Sequence, residues 1–355
     1  DLRALYDWDR DYRTSERYRT DRDYWLDRVA GLEDGSTLAH RDAPTAAVSL
    51  LSSHTLPDDL VDALTAVDDE PGLSSTAAVI AAFACYLARM TGRDDVMINL
   101  PVFARTTAMA RRSGGMLVNT APLHISVDPD DTRTDLVRRV QLELTGALRH
   151  QRFSLEDIRR ETGAAGAPYR YAGPMVNVML FRQEIVLGDI RGEFHIMTSG
   201  PVEDLLVNIY QSGDPARTFL DFRGNPHRYD EDELRAHHDR FVDLLDDFLR
   251  SAPDRAVAVI HPASVTLGEQ RRRAAADAGF WRQQLADAAE RLELPRPVTA
   301  PADDTPIDVE DRLAVTAAAL AARFATTEGG APDTTVAAVL HAATAALTAR
   351  LTGHD

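Results

Sequence analysis

The stretch VMINLPVFARTTAMARRSGGMLVNTAPLHISV, residues 96–127, decides the fold. It starts with an apolar run that ends at Pro101 and Val102, passes through an arginine-rich loop over residues 105–115, and ends with alternating apolar and polar side chains. A short apolar run predicts a buried strand, and an alternation of period two predicts a half-buried strand. This region therefore predicts two strands that are joined by a polar loop.

Helical patterns lie on both sides of this region. Apolar residues recur at helical spacing over residues 76–90, behind a cap at Ser74 or Ser75, and Gly92 ends that helix. Thr132 and Asp135 have the spacing of a capping box ahead of another helix. We also predict helices over residues 5–29 and 232–249, and strands over residues 175–181, 205–210 and 219–222. Alternating helices and strands indicate an α/β sandwich.

The composition excludes several kinds of protein. The net charge is −17, and all 39 basic residues are arginine, a bias typical of a GC-rich genome. A chain without lysine cannot be a Schiff-base enzyme or use a phosphate loop that ends in lysine. An acidic balance disfavours nucleic-acid binding, and the apolar run at 77–88 is too short to span a membrane.

Cysteine and histidine usage narrows the chemistry further. Cys85 is the only cysteine and lies in an apolar run, so we expect a buried, unreactive thiol and no disulfide. The 11 histidines include no zinc-protease pattern, and we predict no metal site. We find no signal peptide and expect a cytoplasmic protein.

The last hundred residues partly repeat the beginning of the chain. The pair Phe280-Trp281 echoes Tyr24-Trp25, and the end of a helix at Gly353 echoes the one at Gly92. Two landmarks in the same order indicate a second copy of one domain type. We therefore expect a domain over residues 1–260, a linker over 261–279 and a truncated second copy over 280–355.

Three segments in the first 260 residues carry a family resemblance. They are Tyr6 and Trp8 with DRDYW at 21–25, LPVFAR at 100–105 with GMLVNTAPL at 115–123, and HQRFSLED at 150–157. In this order and spacing they resemble the condensation domains of non-ribosomal peptide synthetases, whose signatures are LPVxxR, GxFVNTxPL and HQxxPFEDL. The later segments GPMVNV at 173–178 and SGPVEDL at 199–205 look more like the subgroup of siderophore pathways.

The resemblance implies a fold and a reaction. The fold would resemble chloramphenicol acetyltransferase, with two α/β lobes that enclose a tunnel, and this chain would be the C-terminal lobe. The family forms an amide bond between a donor thioester and an acceptor amine, both carried on phosphopantetheine arms of carrier proteins. The implied partners are carrier proteins, the N-terminal lobe and adjacent synthetase domains. No cofactor is expected to bind directly.

The family's catalytic motif, HHxxxDG, is absent from these 355 residues. The only adjacent histidines, His237 and His238, are followed by Asp243 after four residues instead of three, and they lie within a helical pattern. We assign no catalytic residue and expect the chain alone to be inactive. Two alternatives remain, a non-catalytic docking platform and a relative of the epimerisation type.

Candidate site residues follow from these motifs. The candidates for lining the tunnel or binding a carrier protein are Arg105, Arg111, Arg112, Met116, Asn119, Ser199, Gly200 and Asp204. Cationic side chains in the 105–115 loop could bind a phosphate or an acidic helix. Ser154 and Asp157 form a capping box with Phe153 and Ile158 as a hydrophobic staple, so these two residues, like Trp25, are predicted to be structural.

Overall fold

The computed structural model describes residues 2–30, 36–39, 43–163, 173–180, 185–192, 200–212 and 217–261. Its helices are α1 (Leu2–Thr14), α2 (Glu16–Val29), α3 (Asp58–Thr65), α4 (Ser75–Thr91), α5 (Ala108–Arg112), α6 (Arg133–Arg149), α7 (Leu155–Glu161) and α8 (Glu231–Arg250). Its strands are β1 (Leu50–Thr55), β2 (Asp95–Val102), β3 (Asn119–Ser126), β4 (Met175–Met179), β5 (Ile185–Leu187), β6 (Ile190–Gly192), β7 (Leu205–Ser212) and β8 (Arg217–Gly224).

Six strands form one mixed sheet in the order β1-β8-β7-β4-β2-β3. β4 pairs in parallel with β2 and β7, and the other neighbouring strands are antiparallel. β5 and β6 form a separate two-stranded hairpin. Helices pack against the sheet, which confirms the predicted α/β class with a chloramphenicol acetyltransferase-like lobe.

Helix α4 forms the centre of the core. All its residues from 77 to 90 are buried, and they include Phe83, Cys85 and Tyr86. The side chain of Ser74 accepts a hydrogen bond from the Ala77 amide, and Gly92 ends the helix in the left-handed conformation at φ 71°. Burial raises the pKa of the Cys85 thiol, as expected for an unreactive thiol.

Two predicted elements differ from the observed ones. The single helix predicted over residues 5–29 is divided into α1 and α2 at Ser15, whose hydroxyl accepts a hydrogen bond from the Tyr18 amide. A serine at this position caps a new helix instead of continuing the previous one. The polar loop predicted at 105–115 contains the short helix α5, which is capped by Thr107.

Residues 252–261 lie against the domain. The Arg133 amide donates to the Arg255 carbonyl at 2.9 Å, and the Arg89 guanidinium donates to the Ile260 carbonyl at 2.6 Å. Val257 and Ile260 are buried. Apart from His261, the predicted linker at 261–279 and second copy at 280–355 lie outside the described residues.

Candidate functional site at the motif junction

Asn119 joins two of the motif segments through backbone contacts. Its amide nitrogen donates to the carbonyl oxygens of Gln151 at 2.9 Å and Phe153 at 2.8 Å. Its oxygen accepts from the amides of Thr120 at 2.8 Å and Leu155 at 3.3 Å. Three of these contacts, those with Gln151, Phe153 and Leu155, hold the 150–157 segment against the start of β3. We define this region, with residues 100–105, α1 and α2, as the motif junction.

Gln151 provides a second link within the motif junction. Its Oε1 accepts a hydrogen bond from the Ala104 amide at 2.9 Å, and its Nε2 donates to the Leu148 carbonyl at 2.8 Å. Ala104 has φ 49°, an unusual conformation for a residue with a Cβ. The bond to Gln151 therefore fixes the turn that follows β2.

Arg105 has a structural position in this turn. Its guanidinium donates to the carbonyl oxygens of Ala110 at 2.6 Å, Ser113 at 2.9 Å and Gly115 at 2.7 Å. The five donors of a guanidinium suit several carbonyls at once. Arg105 thus folds the 105–115 loop, and its predicted contact with a carrier protein or the tunnel stays a prediction.

Arg111 and Arg112 differ from Arg105. Both are exposed at the end of α5, and neither has an ion-pair or hydrogen-bonding partner through its side chain in the described part of the chain. Met116, four residues further on, is 90 % exposed. These three candidates are therefore accessible to a ligand or a partner.

Exposed apolar side chains surround these residues. Phe103 follows Val102, Val118 precedes Asn119, and Val102 pairs with Asn119 across β2 and β3. Phe103 and Val118 therefore lie at the same end of the strand pair, and they are 68 % and 56 % exposed.

Helix α1 extends this apolar area. Gly115 lies close to the Leu2 side chain, and Tyr6 follows Leu2 by one helical turn. Leu2 and Tyr6 are both strongly exposed. We call the surface formed by Leu2, Tyr6, Phe103, Met116 and Val118 the apolar mouth. An exposed apolar area of this kind is typical of a surface that another protein or a ligand covers.

Ser154 and Asp157 start α7, as predicted. The Ser154 hydroxyl accepts from the Asp157 amide at 3.0 Å and donates to the Asp157 carboxylate at 2.7 Å, while Phe153 and Ile158 are buried beside it. Burial works against the charge of Asp157, but hydrogen bonds from Ser154 and Arg160 hold its pKa below the ordinary value. In the structure this pair caps the start of α7, but the side chain of Asp157 bonds to the Ser154 hydroxyl and not to its backbone amide, so the predicted capping box is only half formed.

Trp25 is buried beside a polar cluster. Its indole Nε1 donates to the His150 carbonyl at 2.9 Å. The His150 Nδ1 lies 2.7 Å from the carboxylate of Asp21, which is 1 % exposed and also accepts from the Tyr12 hydroxyl at 2.8 Å. The His150 ring stacks on Tyr24, with 4.1 Å between centroids. The cluster joins α1, α2 and the end of α6.

Arg152 adds a contact to the first helix. Its guanidinium lies 3.5 Å from the ring centroid of Trp8 and 3.9 Å from that of Tyr12. Such cation–π contacts are strengthened where water is excluded. Burial lowers the pKa of Arg152 and raises that of Tyr12. The aromatic residues of α1 are thus held by the HQRFSLED segment.

The remaining candidates form a separate group. Asp204 is 4 % exposed and accepts from the hydroxyls of Tyr229 at 2.8 Å and Thr37 at 3.0 Å. Burial raises the pKa of Asp204. Gly200 has φ 78°, which supports the predicted constrained turn, and Ser199 lies outside the described residues.

Glu203 and Asp204 do not form a pair. The Glu203 carboxylate lies 3.9 Å from Arg159 of α7, whereas Asp204 is buried. Their side chains therefore have different environments in the bend that precedes β7. The structure therefore brings together Arg105, Asn119, Ser154, Asp157 and Trp25, but not Asp204.

The adjacent histidines are helical, as predicted. Both lie in α8, where His238 is fully buried and stacks on Phe222 with 4.7 Å between centroids. Its Nδ1 lies 2.8 Å from the Ser52 hydroxyl. The pair has no place at the motif junction.

Sequence reasoning missed the Asp21–His150 pair and the contact of Arg152 with α1. The available signal was that DRDYW and HQRFSLED both combine polar and aromatic residues, yet 129 positions separate Asp21 from His150.

Within the described ranges, no group of histidine, cysteine, aspartate and glutamate side chains could hold a metal ion. No helix in these ranges combines the length and apolar character that crossing a bilayer requires.

Comparison with known proteins identifies the family. The family profile described as Condensation domain matches residues 4–260. The chain is 32% identical over 244 residues to a dimodular nonribosomal peptide synthase of Bacillus subtilis. This alignment covers 69% of this chain and 10% of that protein. It is 27% identical over 247 residues to enterobactin synthase component F of Escherichia coli. This second alignment covers 67% of this chain and 18% of that protein.

A solved structure agrees with these relatives. The first condensation domain of the calcium-dependent antibiotic synthetase, in complex with a substrate analogue, superposes with a TM-score of 0.66 at 31% identity. The match covers 73% of this chain and 57% of that one. The chain thus spans a small part of the curated relatives and over half of the solved domain. On the strength of this match, of the motif junction and of the profile over residues 4–260, the chain belongs to the condensation domains of nonribosomal peptide synthetases.

Proposed function

We propose that this chain is the C-terminal lobe of a condensation domain, and that it takes part in forming an amide bond between a donor thioester and an acceptor amine. The observation that carries the proposal is the apolar mouth beside the motif junction, with its five exposed apolar side chains. An N-terminal lobe that carries HHxxxDG would cover this surface and supply the histidine. The histidine would hold or deprotonate the amine, which must be neutral to attack.

The chain's own contribution would be positioning. Two tethered reactants gain rate when they are held in the correct geometry. Asn119, Gln151 and Arg105 would fix the tunnel wall through their backbone contacts. The proposal places the domain in the cytoplasm, where an unpaired cysteine such as Cys85 is usual.

We propose Arg111 and Arg112 as the binding site for the phosphate of the phosphopantetheine arm. Both are exposed and lack ion-pair partners among the described residues, and a guanidinium binds phosphate through two parallel hydrogen bonds. The similarity to enterobactin synthase component F supports a siderophore-type donor.

The amide-forming role can be tested by reconstitution. This chain is combined with a condensation N-terminal lobe that carries an intact HHxxxDG motif, together with loaded donor and acceptor carrier proteins. We expect amide product, measured by mass spectrometry, only when both lobes are present. Product from this chain alone, or no product from the two lobes together, would overturn the proposal.

The reading frame before Asp1 provides a second test. An in-frame HHxxxDG supports the amide-forming lobe, whereas a start codon at this place supports the docking platform.

For the phosphate site, R111Q/R112Q is expected to weaken binding of a phosphopantetheine-loaded carrier protein by about tenfold, while R235Q on α8 has no effect. Equal affinities for the loaded and unloaded carrier proteins would contradict the phosphate assignment.

A further inference from the structure

A groove of about 510 Å³ lies between α3 and α8, away from the motif junction. Its apolar side chains are Pro57, Leu60 and Val242. The polar residues that line it are Asp59, Asp243, Asp246, Asp247, Arg250 and His261. The groove therefore combines an apolar part with four carboxylates and a single guanidinium.

The charges of this groove are only partly balanced. Arg250 lies 2.7 Å from the Asp59 carboxylate and 2.6 Å from that of Asp246. His261 Nδ1 lies 2.8 Å from Asp247. Asp243 is exposed and has no side-chain partner in the described part of the chain. The groove consequently has an excess of negative charge, which favours a cationic occupant.

The chain itself continues from the edge of the groove. His261 lines the groove and is followed by PASVTLGEQRRR, residues 262–273. The three arginines at 271–273 are the only run of three in the sequence. Nine residues lie between His261 and Arg271, so ten residue steps allow an extended reach of about 33 Å. The groove residues on α8, from 242 to 250, span only about 12 Å.

We propose that the groove between α3 and α8 binds the arginine run at residues 271–273 of the same chain. The guanidinium groups pair with the carboxylates of Asp243, Asp246 and Asp247, and their aliphatic stems lie on Leu60 and Val242. A short tether gives an effective concentration in the millimolar range, so weak contacts suffice to occupy the groove.

Docking of this segment would set the direction in which the chain leaves the condensation domain. Residues up to Ile260 already pack against the domain. Docking extends this attachment by about ten residues.

Disulfide trapping in the full chain tests the proposal. Cys85 is the only natural cysteine and is fully buried, so it does not react under native conditions. V242C/A274C places one thiol in the groove and one beside the arginine run and retains every charge. A236C/A274C is the matched control, since residue 236 lies about 9 Å away along α8 and on another face.

We expect the V242C/A274C disulfide to form within one molecule about tenfold faster than the control at low salt. The advantage should disappear near 1 M salt, where charges are screened within about 3 Å. R271E/R272E/R273E should remove it, and adding D243R/D246R should restore it. Three results would overturn the proposal. They are equal rates of disulfide formation in the two cysteine pairs, a rate advantage that is unchanged by salt and by the charge substitutions, and a disulfide that forms only between two molecules.

Discussion

The indole Nε1 of Trp25 donates a hydrogen bond to the backbone carbonyl oxygen of His150 at 2.9 Å, across 125 positions of sequence. This bond joins α2 to the segment that starts α7. W25F removes this donor, leaves the carbonyl with only the Phe153 amide at 3.3 Å, and puts a smaller ring in a buried position. We therefore expect a loss of about 1–3 kcal/mol in the free energy of unfolding. Urea unfolding measures the loss. Y6F, at an exposed tyrosine, is the control, and a W25F value equal to that of Y6F would contradict the role of the bond.

Asn119 provides a second prediction. N119A removes four hydrogen bonds, whereas N119D also places a carboxylate against the carbonyl oxygens of Gln151 and Phe153. We expect N119D to be the less stable variant, with a total loss of about 2–4 kcal/mol relative to the native chain. The comparison is made by chemical unfolding at pH 7. If N119D proves at least as stable as N119A, the amide does not act as the donor.

Arg105 and Arg111 should respond differently to the same change. R105Q loses the guanidinium that binds three carbonyl oxygens, so the amides of residues 106–118 should exchange hydrogen about tenfold faster. R111Q, at an exposed position, should leave this exchange unchanged. Hydrogen-exchange mass spectrometry distinguishes the two variants. Equal exchange in both would mean that Arg105 does not hold the loop.

Gly173 lies where a side chain does not fit. A Cβ at this position would lie 2.7 Å from the backbone oxygen of Met97, closer than real contacts allow. Because a backbone atom cannot move aside cheaply, G173A should lower the free energy of unfolding by about 1–3 kcal/mol. G114A is the matched control, since nothing lies within 4 Å of its added Cβ. A thermal melt that shifts equally in both variants would contradict this.

The buried His238 should make the protein less stable at acidic pH. Burial, with a contribution from His54, lowers its pKa from 6.5 to about 3, although Asp239 opposes the shift. The unfolded chain therefore binds the proton first, and stability is lost as the pH falls below about 6.5. The protonation of this one group should lower the free energy of unfolding by about 2 kcal/mol between pH 7 and pH 5.

Unfolding free energies at the two pH values test this dependence. H238N should flatten the dependence, because asparagine does not titrate in this range, and H227N, at an exposed histidine, should leave it unchanged. A native pH dependence that persists in H238N would assign the effect to another group.

Local signals in the sequence predicted the helix starts well. Ser74, Thr132 and Ser154 all cap helices, because a cap depends only on residues within one turn. The same reasoning missed the break at Ser15, because no glycine or proline interrupts residues 2–29. The strand β1 was also not predicted, because its partner β8 lies far along the chain.

The site was predictable as a set of segments but not as a geometry. The motifs located Arg105, Asn119 and Trp25, yet no local pattern shows that Arg105 binds carbonyl oxygens while Arg111 is exposed, with no side-chain partner among the described residues. The side-chain environment of Asp204 likewise depends on Thr37 and Tyr229, which are distant in sequence. Tertiary contacts decided both cases.

The pairing of β1 with β8 also determines when the domain can be completed during synthesis. Ser53 on β1 bonds to Asp221 on β8, and 168 positions separate the two residues. At about 5–20 residues per second, a ribosome needs roughly 8–34 seconds to make the intervening chain. Throughout that interval β1 has no partner in its own sheet, so it stays open to chaperones and proteases for longer than α1 and α2, whose partners at residues 150–161 are made earlier.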